Sequence, residues 1–232
     1  MKYTKNKEFI GAMFDEISPT YDRLNHLLSG YQDNRWRKSA VKHLASLGSY
    51  ENVLDLACGS GDLGLEFTKL NPKKLYSADL SFEMLKINKQ KLPQSINIPV
   101  KAEAERLPFE GGKFDLCGIG FGVRNFERLA NCAAEINRVL RHGGKFLTIE
   151  MFKPEKPNLI NRGFRLYFEK VLPKIGNRLS RSKYAYNYLF ESVDNFLSVS
   201  QYSKILEQNG FIITKIRNNF IGIVHTVFAE KR

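Results

Sequence analysis

Apolar residues recur three and four positions apart through KEFIGAMFDEIS, YDRLNHLLS and RWRKSAVKHLASL (residues 7–18, 21–29 and 35–47), which predicts helices before any strand. At Asn52 the pattern changes. Short apolar runs now predict strands at NVLDLA (52–57), KLYSAD (74–79), NIPVKA (97–102), FDLCGIGFG (114–122) and GGKFLTIEMF (143–152). Helical stretches DLGLEFTKL (62–70), SFEMLKINKQKL (81–92) and ERLANCAAEINRVL (127–140) separate most of them. Buried strands alternating with helices predict a doubly wound α/β sheet with helices on both faces.

The alternation stops after Phe152. Residues 158–179 and 183–197 are aromatic, basic and helical in pattern, and so form an insertion. A helix at 198–210 and two strands within 211–232, joined around RNN (217–219), complete the chain. So short a join requires antiparallel strands, because a parallel pair needs a crossover of about a dozen residues. The expectation is a seven-stranded sheet with an antiparallel last strand in a single domain. Its parts are a helical extension (1–48), a cofactor-binding core (49–152), a helical substrate cap (153–197) and a C-terminal helix and strand pair (198–232).

Composition narrows the setting. No apolar run approaches the ~18 residues of a membrane span, and Asp15 and Glu16 interrupt the N-terminal apolar stretch too early for a signal peptide. A cytoplasmic protein is expected. Cys58, Cys117 and Cys132 lack C-x-x-C spacing and the four histidines are scattered, so buried thiols and no metal are expected. The net charge of +12 suits an anionic partner, and cations concentrate between 153 and 183: Lys153, Lys156, Arg162, Arg165, Lys170, Lys174, Arg178, Arg181 and Lys183, against Glu155 and Glu169.

The candidate chemistry centres on Gly59, Gly61 and Gly64, spaced G-x-G-x-x-G, with Asp79 twenty positions after Gly59. That spacing fits a dinucleotide site. Asp55 and Asp62 flank the loop, however, and would repel a pyrophosphate at the following helix start. S-adenosylmethionine has no phosphate and carries a sulfonium and an ammonium, which those carboxylates favour. Asp79, with Leu80 beside it, suits the ribose hydroxyls, and Glu103 and Ala104 fall where an adenine edge would lie.

The segments FDEISPTYDRLNHLLS, VLDLACGSGD, ADLSFEML, AEAERLPF, FGVRNF, VLPKIG and YNYLFESV resemble the menaquinone and ubiquinone biosynthesis C-methyltransferases from about Phe14 to Gly210. The resemblance implies a class I methyltransferase-like fold and S-adenosylmethionine-dependent C-methylation of a polyprenylated quinol ring, demethylmenaquinol to menaquinol above all; another small molecule or RNA is the alternative. It places the family's cofactor threonine on Ser60, its ribose-binding aspartate on Asp79 and its adenine-side pair on Glu103 and Ala104. Gly120 stands where the family often has serine, and His142 replaces the proline of its KPGG turn. LSGYQDNRW departs from the usual order around its glycine.

Carbon methylation requires an electron-rich ring, hence a quinol that has lost a phenolic proton. Arg124, with Asn125, follows the fourth strand where it can stabilise that oxyanion; the competing role is a pairing of Arg124 with Glu150. Tyr21, Tyr186 and Tyr188 are the expected acceptor contacts. Phe164, Leu166, Tyr167, Phe168, Tyr184, Tyr186 and Tyr188 are expected to line a channel for the prenyl tail, while the cations of the insertion meet an anionic membrane surface. No nucleic acid partner is expected, and a homo-oligomer is left open.

Overall fold

The computed structural model describes residues 6–180, 182 and 184–232; Arg181 and Lys183 of the basic segment lie outside them. The strands are β1 (Asn52–Leu56), β2 (Lys74–Asp79), β3 (Asn97–Lys101), β4 (Phe114–Gly120), β5 (Leu140–Met151), β6 (Phe211–Phe220) and β7 (Val224–Lys231). They form one sheet in the order β3-β2-β1-β4-β5-β7-β6. The first five pair in parallel, and β7 runs antiparallel to both of its neighbours. The chain reverses at residues 221–223, later than expected, and RNN lies within β6. Gly222, at φ +74°, takes the left-handed conformation the turn needs, and the Asn218 side chain accepts its N–H.

The strands owe their burial to continuous apolar runs: Val53, Leu54 and Leu56 in β1 and Leu116, Cys117 and Ile119 in β4 are at most 1% exposed. Asp115 fixes the start of β4 against β1, accepting the amides of Glu51 and Asn52 at 2.7 Å each. Helices α4 (Asp62–Phe67), α5 (Phe82–Lys91), α6 (Leu129–Val139) and α10 (Val199–Gln208) accompany the sheet. Ser81 caps α5 through the Met84 amide, and Ser198 with Gln201 forms a capping box on α10.

Two further groups of helices meet above the carboxyl ends of the parallel strands. The extension supplies α1 (Lys7–Ile17), α2 (Tyr21–Leu28) and the start of α3 (Gln32–Ala45), whose later turns pack Ala40, Val41 and Leu44 onto a sheet face; the insertion supplies α7 (Leu159–Lys170), α8 (Leu172–Ser180) and α9 (Ala185–Asp194). Pro173 lacks an amide proton and sits in the first turn of α8, where the helical pattern of 158–179 divides in two. Ile10, Met13, Ile17 and Leu24 pack with Phe168, Leu172, Ala185 and Tyr186 in a core separate from those on the two sheet faces. Among the described residues no helix is long and apolar enough to cross a membrane.

Candidate active site

The site begins with the loop that ends β1. Gly59 (φ +50°) and Gly61 (φ +96°) turn the chain sharply into α4. Asp79, at the end of β2, grips this loop: Oδ2 accepts the Gly59 amide at 2.8 Å and Oδ1 the Ser81 amide at 2.9 Å. Burial raises its pKa, against the pull of the Ser81, Gly59 and Leu80 amides. With three amides bound, the carboxylate still keeps accepting capacity, and it borders a cavity of about 140 Å³. Gly59, Asp79, Leu80, Glu103, Ala104, Gly120 and Asn125 all border that cavity.

Three residues expected at the cofactor do not border it. Asp55 is fully buried behind the loop, with neither carboxylate oxygen in a hydrogen bond of good geometry. Burial pushes its pKa to about 8, although the Gly64 amide and Arg37 pull it down. Gly61 faces Asn88 and Leu92, because its left-handed backbone turns it beneath the loop. Ser60 donates to Asp22 of α2 and accepts from Lys91 at 3.2 Å. Lys91 also reaches Asp22 at 2.6 Å and Asp62 at 2.8 Å, so this hydroxyl ties the extension to the glycine loop.

A second cavity, of about 200 Å³, lies between the extension and the insertion. Met13, Ile17, Leu28, Trp36, Phe164, Phe168 and Leu172 give it apolar walls, and Asn25, Gln32, Asp33 and Arg37 give it a polar end. Phe14, Tyr21 and Phe121 border both cavities, which therefore adjoin at these three rings. Phe121 has φ +61°, a conformation that costs an aromatic residue about 1 kcal/mol or more and turns its ring into this junction.

A single 3₁₀ turn, Val123–Asn125, follows β4 and divides its two candidates between the cavities. Arg124 borders the larger and Asn125 the smaller. Arg124 is buried; Nη1 donates to Glu150 Oε1 at 2.8 Å and to the Phe121 carbonyl at 2.6 Å, and Nε donates to Ser192 at 3.3 Å. Burial, the largest single influence, opposes its charge, but the Glu150 carboxylate, Tyr21 and Tyr188 together outweigh it and raise its pKa. The pairing with Glu150 is thus present, and it holds the guanidinium at the cavity wall. Tyr188 donates to Asn125 Oδ1 at 3.0 Å, linking α9 to the same turn.

Tyr21, Tyr186 and Tyr188 all border the larger cavity. Burial lifts the Tyr21 phenol to about 12, with Arg124 and Arg37 opposing, so it is a hydrogen-bond donor at neutral pH. The expected channel residues divide by helix face. Phe164 and Phe168, four apart on α7, border the cavity, whereas Leu166 and Tyr167 project outward, 53% and 39% exposed. Tyr184 also lies outside the lining; its hydroxyl donates to Glu16 at 3.0 Å and its ring packs on Phe9. Donor atoms of His26, Asp33 and Asp62 converge closely enough for a cation, but Arg37 occupies their midst, 2.5 Å from Asp33 and 3.7 Å from Asp62.

Sequence reasoning did not assign Phe14, Phe121, Asp33 or Arg37 to the site. Phe14 and Phe121 belonged to recognisable segments, but nothing local distinguishes them from core aromatics. Lys7, whose Nζ lies 2.8 Å from Glu103 at the mouth of the smaller cavity, has no signal of its own, because the pairing spans 96 positions.

The pattern of the ubiE/COQ5 methyltransferase family matches residues 1–231. A demethylmenaquinone methyltransferase of Chlorobaculum parvum is 43% identical over 212 residues, covering 90% of this chain and 86% of that protein. A demethylmenaquinone methyltransferase of Staphylococcus aureus is 34% identical over 231 residues, covering 97% and 95%. The solved structure of a SAM-dependent methyltransferase from Thermotoga maritima superposes with a TM-score of 0.68 over 95% of this chain and 99% of that one, at 17% identity, which is a likeness of fold.

Proposed function

Because the chain belongs to the ubiE/COQ5 methyltransferase family, and is an S-adenosylmethionine-dependent enzyme, we propose that it methylates a ring carbon of a polyprenylated quinol, with demethylmenaquinol as acceptor. The observation that carries this reading is the pair of adjoining cavities. The smaller offers a carboxylate, Asp79, with accepting capacity for ribose hydroxyls and an acidic edge at Glu103; the larger is walled by aliphatic and aromatic side chains. The residues present fit the cofactor: where a Cβ on Gly59 would stand, the nearest neighbour is Tyr21 at 3.9 Å, leaving room for close backbone approach.

The cofactor, when bound, supplies a methyl group activated by its sulfonium. The protein's task is to hold the acceptor as its quinolate and to exclude water. Arg124, steadied by Glu150, and the protonated Tyr21 both border the larger cavity near its junction with the smaller. Both can donate to a developing phenolate oxygen there. The Arg124–Glu150 pair carries no net charge, so its contribution is a directed hydrogen bond in an apolar enclosure. Asn125, oriented by Tyr188, does the same from the side of the smaller cavity.

The tail of such an acceptor lies in a membrane, and α7 suits a peripheral approach. Leu159 and Ile160 at its start are 82% and 64% exposed, Leu166 and Val171 are exposed further along, and Lys153, Lys156, Arg162, Lys170 and Lys174 of the same segment are exposed as well. Exposed apolar residues and exposed cations in one segment suit the interface of an anionic bilayer. The direct test is mass spectrometry of quinones from cells lacking the protein, together with methylation by the purified enzyme. Loss of the ring-methylated quinone with accumulation of its demethylated precursor is expected; an unchanged quinone pool would overturn the assignment.

A further inference from the structure

The polar end of the larger cavity contains a buried cation that its neighbours satisfy only in part. Arg37, on α3, is 8% exposed. Its Nη1 donates to Asp33 at 2.5 Å, its Nη2 lies 3.7 Å from Asp62, and its guanidinium carbon sits 5.4 Å from the centre of the Phe121 ring. Nε, although buried, has no hydrogen-bond partner. A buried donor on a charged group without an acceptor is costly, and native proteins rarely keep one without a use.

The position of Nε indicates that use. It lies 3.9 Å from the place a Cβ on Gly120 would occupy, at the carboxyl end of β4. Gly120 borders the smaller cavity and Arg37 the larger, so this edge of the guanidinium lies at the seam between them. Sheet order fixes which part of the cofactor arrives there. Glu103 and Ala104 follow β3, Asp79 ends β2, Gly59 follows β1 and Gly120 ends β4, and these strands are adjacent in the order β3-β2-β1-β4. With adenine at Glu103 and ribose at Asp79, the methionyl end comes to lie by Gly59 and Gly120. That end carries the molecule's one anionic group.

We propose that Arg37 binds the α-carboxylate of the cofactor's methionyl group through its Nε edge. The other buried guanidinium at this end, Arg124, is already engaged by Glu150, the Phe121 carbonyl and Ser192. Asp33 and Asp62 hold the remaining nitrogens of Arg37 and so fix the direction of the free edge. Asp62 opens α4 directly after the glycine loop, which ties Arg37 to the segment that approaches the cofactor. The assignment does not depend on which acceptor the enzyme methylates.

The test is calorimetric titration of the intact protein with S-adenosylmethionine and with decarboxylated S-adenosylmethionine, which keeps the sulfonium and the amine but lacks the carboxylate. The wild type should favour the carboxylated ligand by on the order of 10- to 100-fold, as a charge-assisted hydrogen bond in a buried site implies. Arg37→Gln should lose most of that preference by weakening only the carboxylated ligand, and Arg37→Lys should retain part of it. Equal binding of the two ligands by the wild type would overturn the proposal without reference to any variant. Equal weakening of both ligands in Arg37→Gln would reduce Arg37 to a tie between Asp33 and Asp62. Unchanged cofactor binding with a raised KM for the acceptor would assign the residue to the acceptor instead.

Discussion

Replacing Arg124 removes the counter-charge of a carboxylate that has no access to water. Glu150 is 0% exposed, and its oxygens accept from Arg124 Nη1, the Met151 amide and the Arg124 amide. In Arg124→Met the two amides remain and the ion pair is lost. Breaking a buried pair from one side costs about 3–5 kcal/mol, against a total stability on the order of 5–15 kcal/mol. For a chain of this length that corresponds to a fall in Tm of roughly 10 °C. Loss of activity in this variant alone would therefore say little about chemistry. The double variant Arg124→Met/Glu150→Gln removes the stranded charge and should recover most of the lost stability. If Arg124 also donates to the acceptor's oxyanion, turnover should stay depressed by about a hundredfold or more, with cofactor affinity close to wild type. Scanning calorimetry, cofactor titration and methylation rates on the single and double variants separate the two effects. A double variant that regains both stability and turnover would refute the catalytic role and leave Arg124 as a brace for the turn after β4.

Asp79→Asn should weaken S-adenosylmethionine binding by about 10- to 100-fold, since the ribose loses a charged acceptor; titration showing unchanged affinity would place the ribose elsewhere. Asp55 should make stability depend on pH: its folded pKa of about 8 lies above the ordinary 3.8, so the folded state favours the protonated form, and stability falls as pH rises from about 4 to about 8 and then levels. Asp55→Asn should remove that decline, worth on the order of 5 kcal/mol at its upper limit, and denaturant titrations of both proteins from pH 4 to pH 9 with parallel profiles would contradict it. Co-sedimentation should show stronger binding to anionic than to neutral vesicles, falling with salt and with joint neutralisation of Lys153, Arg162, Lys170 and Lys174. Arg165 is omitted because it already pairs with Asp194, and equal binding to both vesicle types would remove the membrane role.

What could be read in the sequence was what neighbouring residues decide. The strand pattern, the glycine turn and Asp79 at the end of β2 follow from short-range periodicity and from where ligands sit in a parallel sheet. The antiparallel finish followed from connection length alone, but the position of its turn did not, since RNN is as plausible a turn as Ile221-Gly222-Ile223 until pairing with β7 is known. The site's closing contacts were beyond reach for the same reason. Ser60 meets Asp22 across 38 positions and Ser81 meets Asp15 across 66, and nothing in either segment names its partner. On α7 the composition promised a channel, yet only helical phase separates Phe164 and Phe168, which face the cavity, from Leu166 and Tyr167, which face outward.

The extension lines both cavities, and its attachments show how it is held. The exposed tie of Lys7 to Glu103 joins side chains 51% and 45% exposed, and such pairs contribute little. The stronger attachments are buried or partly buried. Asp15 accepts the Ser81 hydroxyl and the Glu83 amide at the start of α5, where the helix dipole favours its charge. Met13 and Ile17, buried in the core shared with Phe168 and Leu172, add apolar area removed from water. These attachments place Phe14 and Tyr21 against both cavities. The sheet segment alone supplies Asp79, Gly59 and Arg124, but the junction of the two cavities is completed by residues that precede the first strand. Under the proposed function, substitutions in α1 and α2 are therefore changes to the reaction chamber, even though every residue of the glycine motif lies after them.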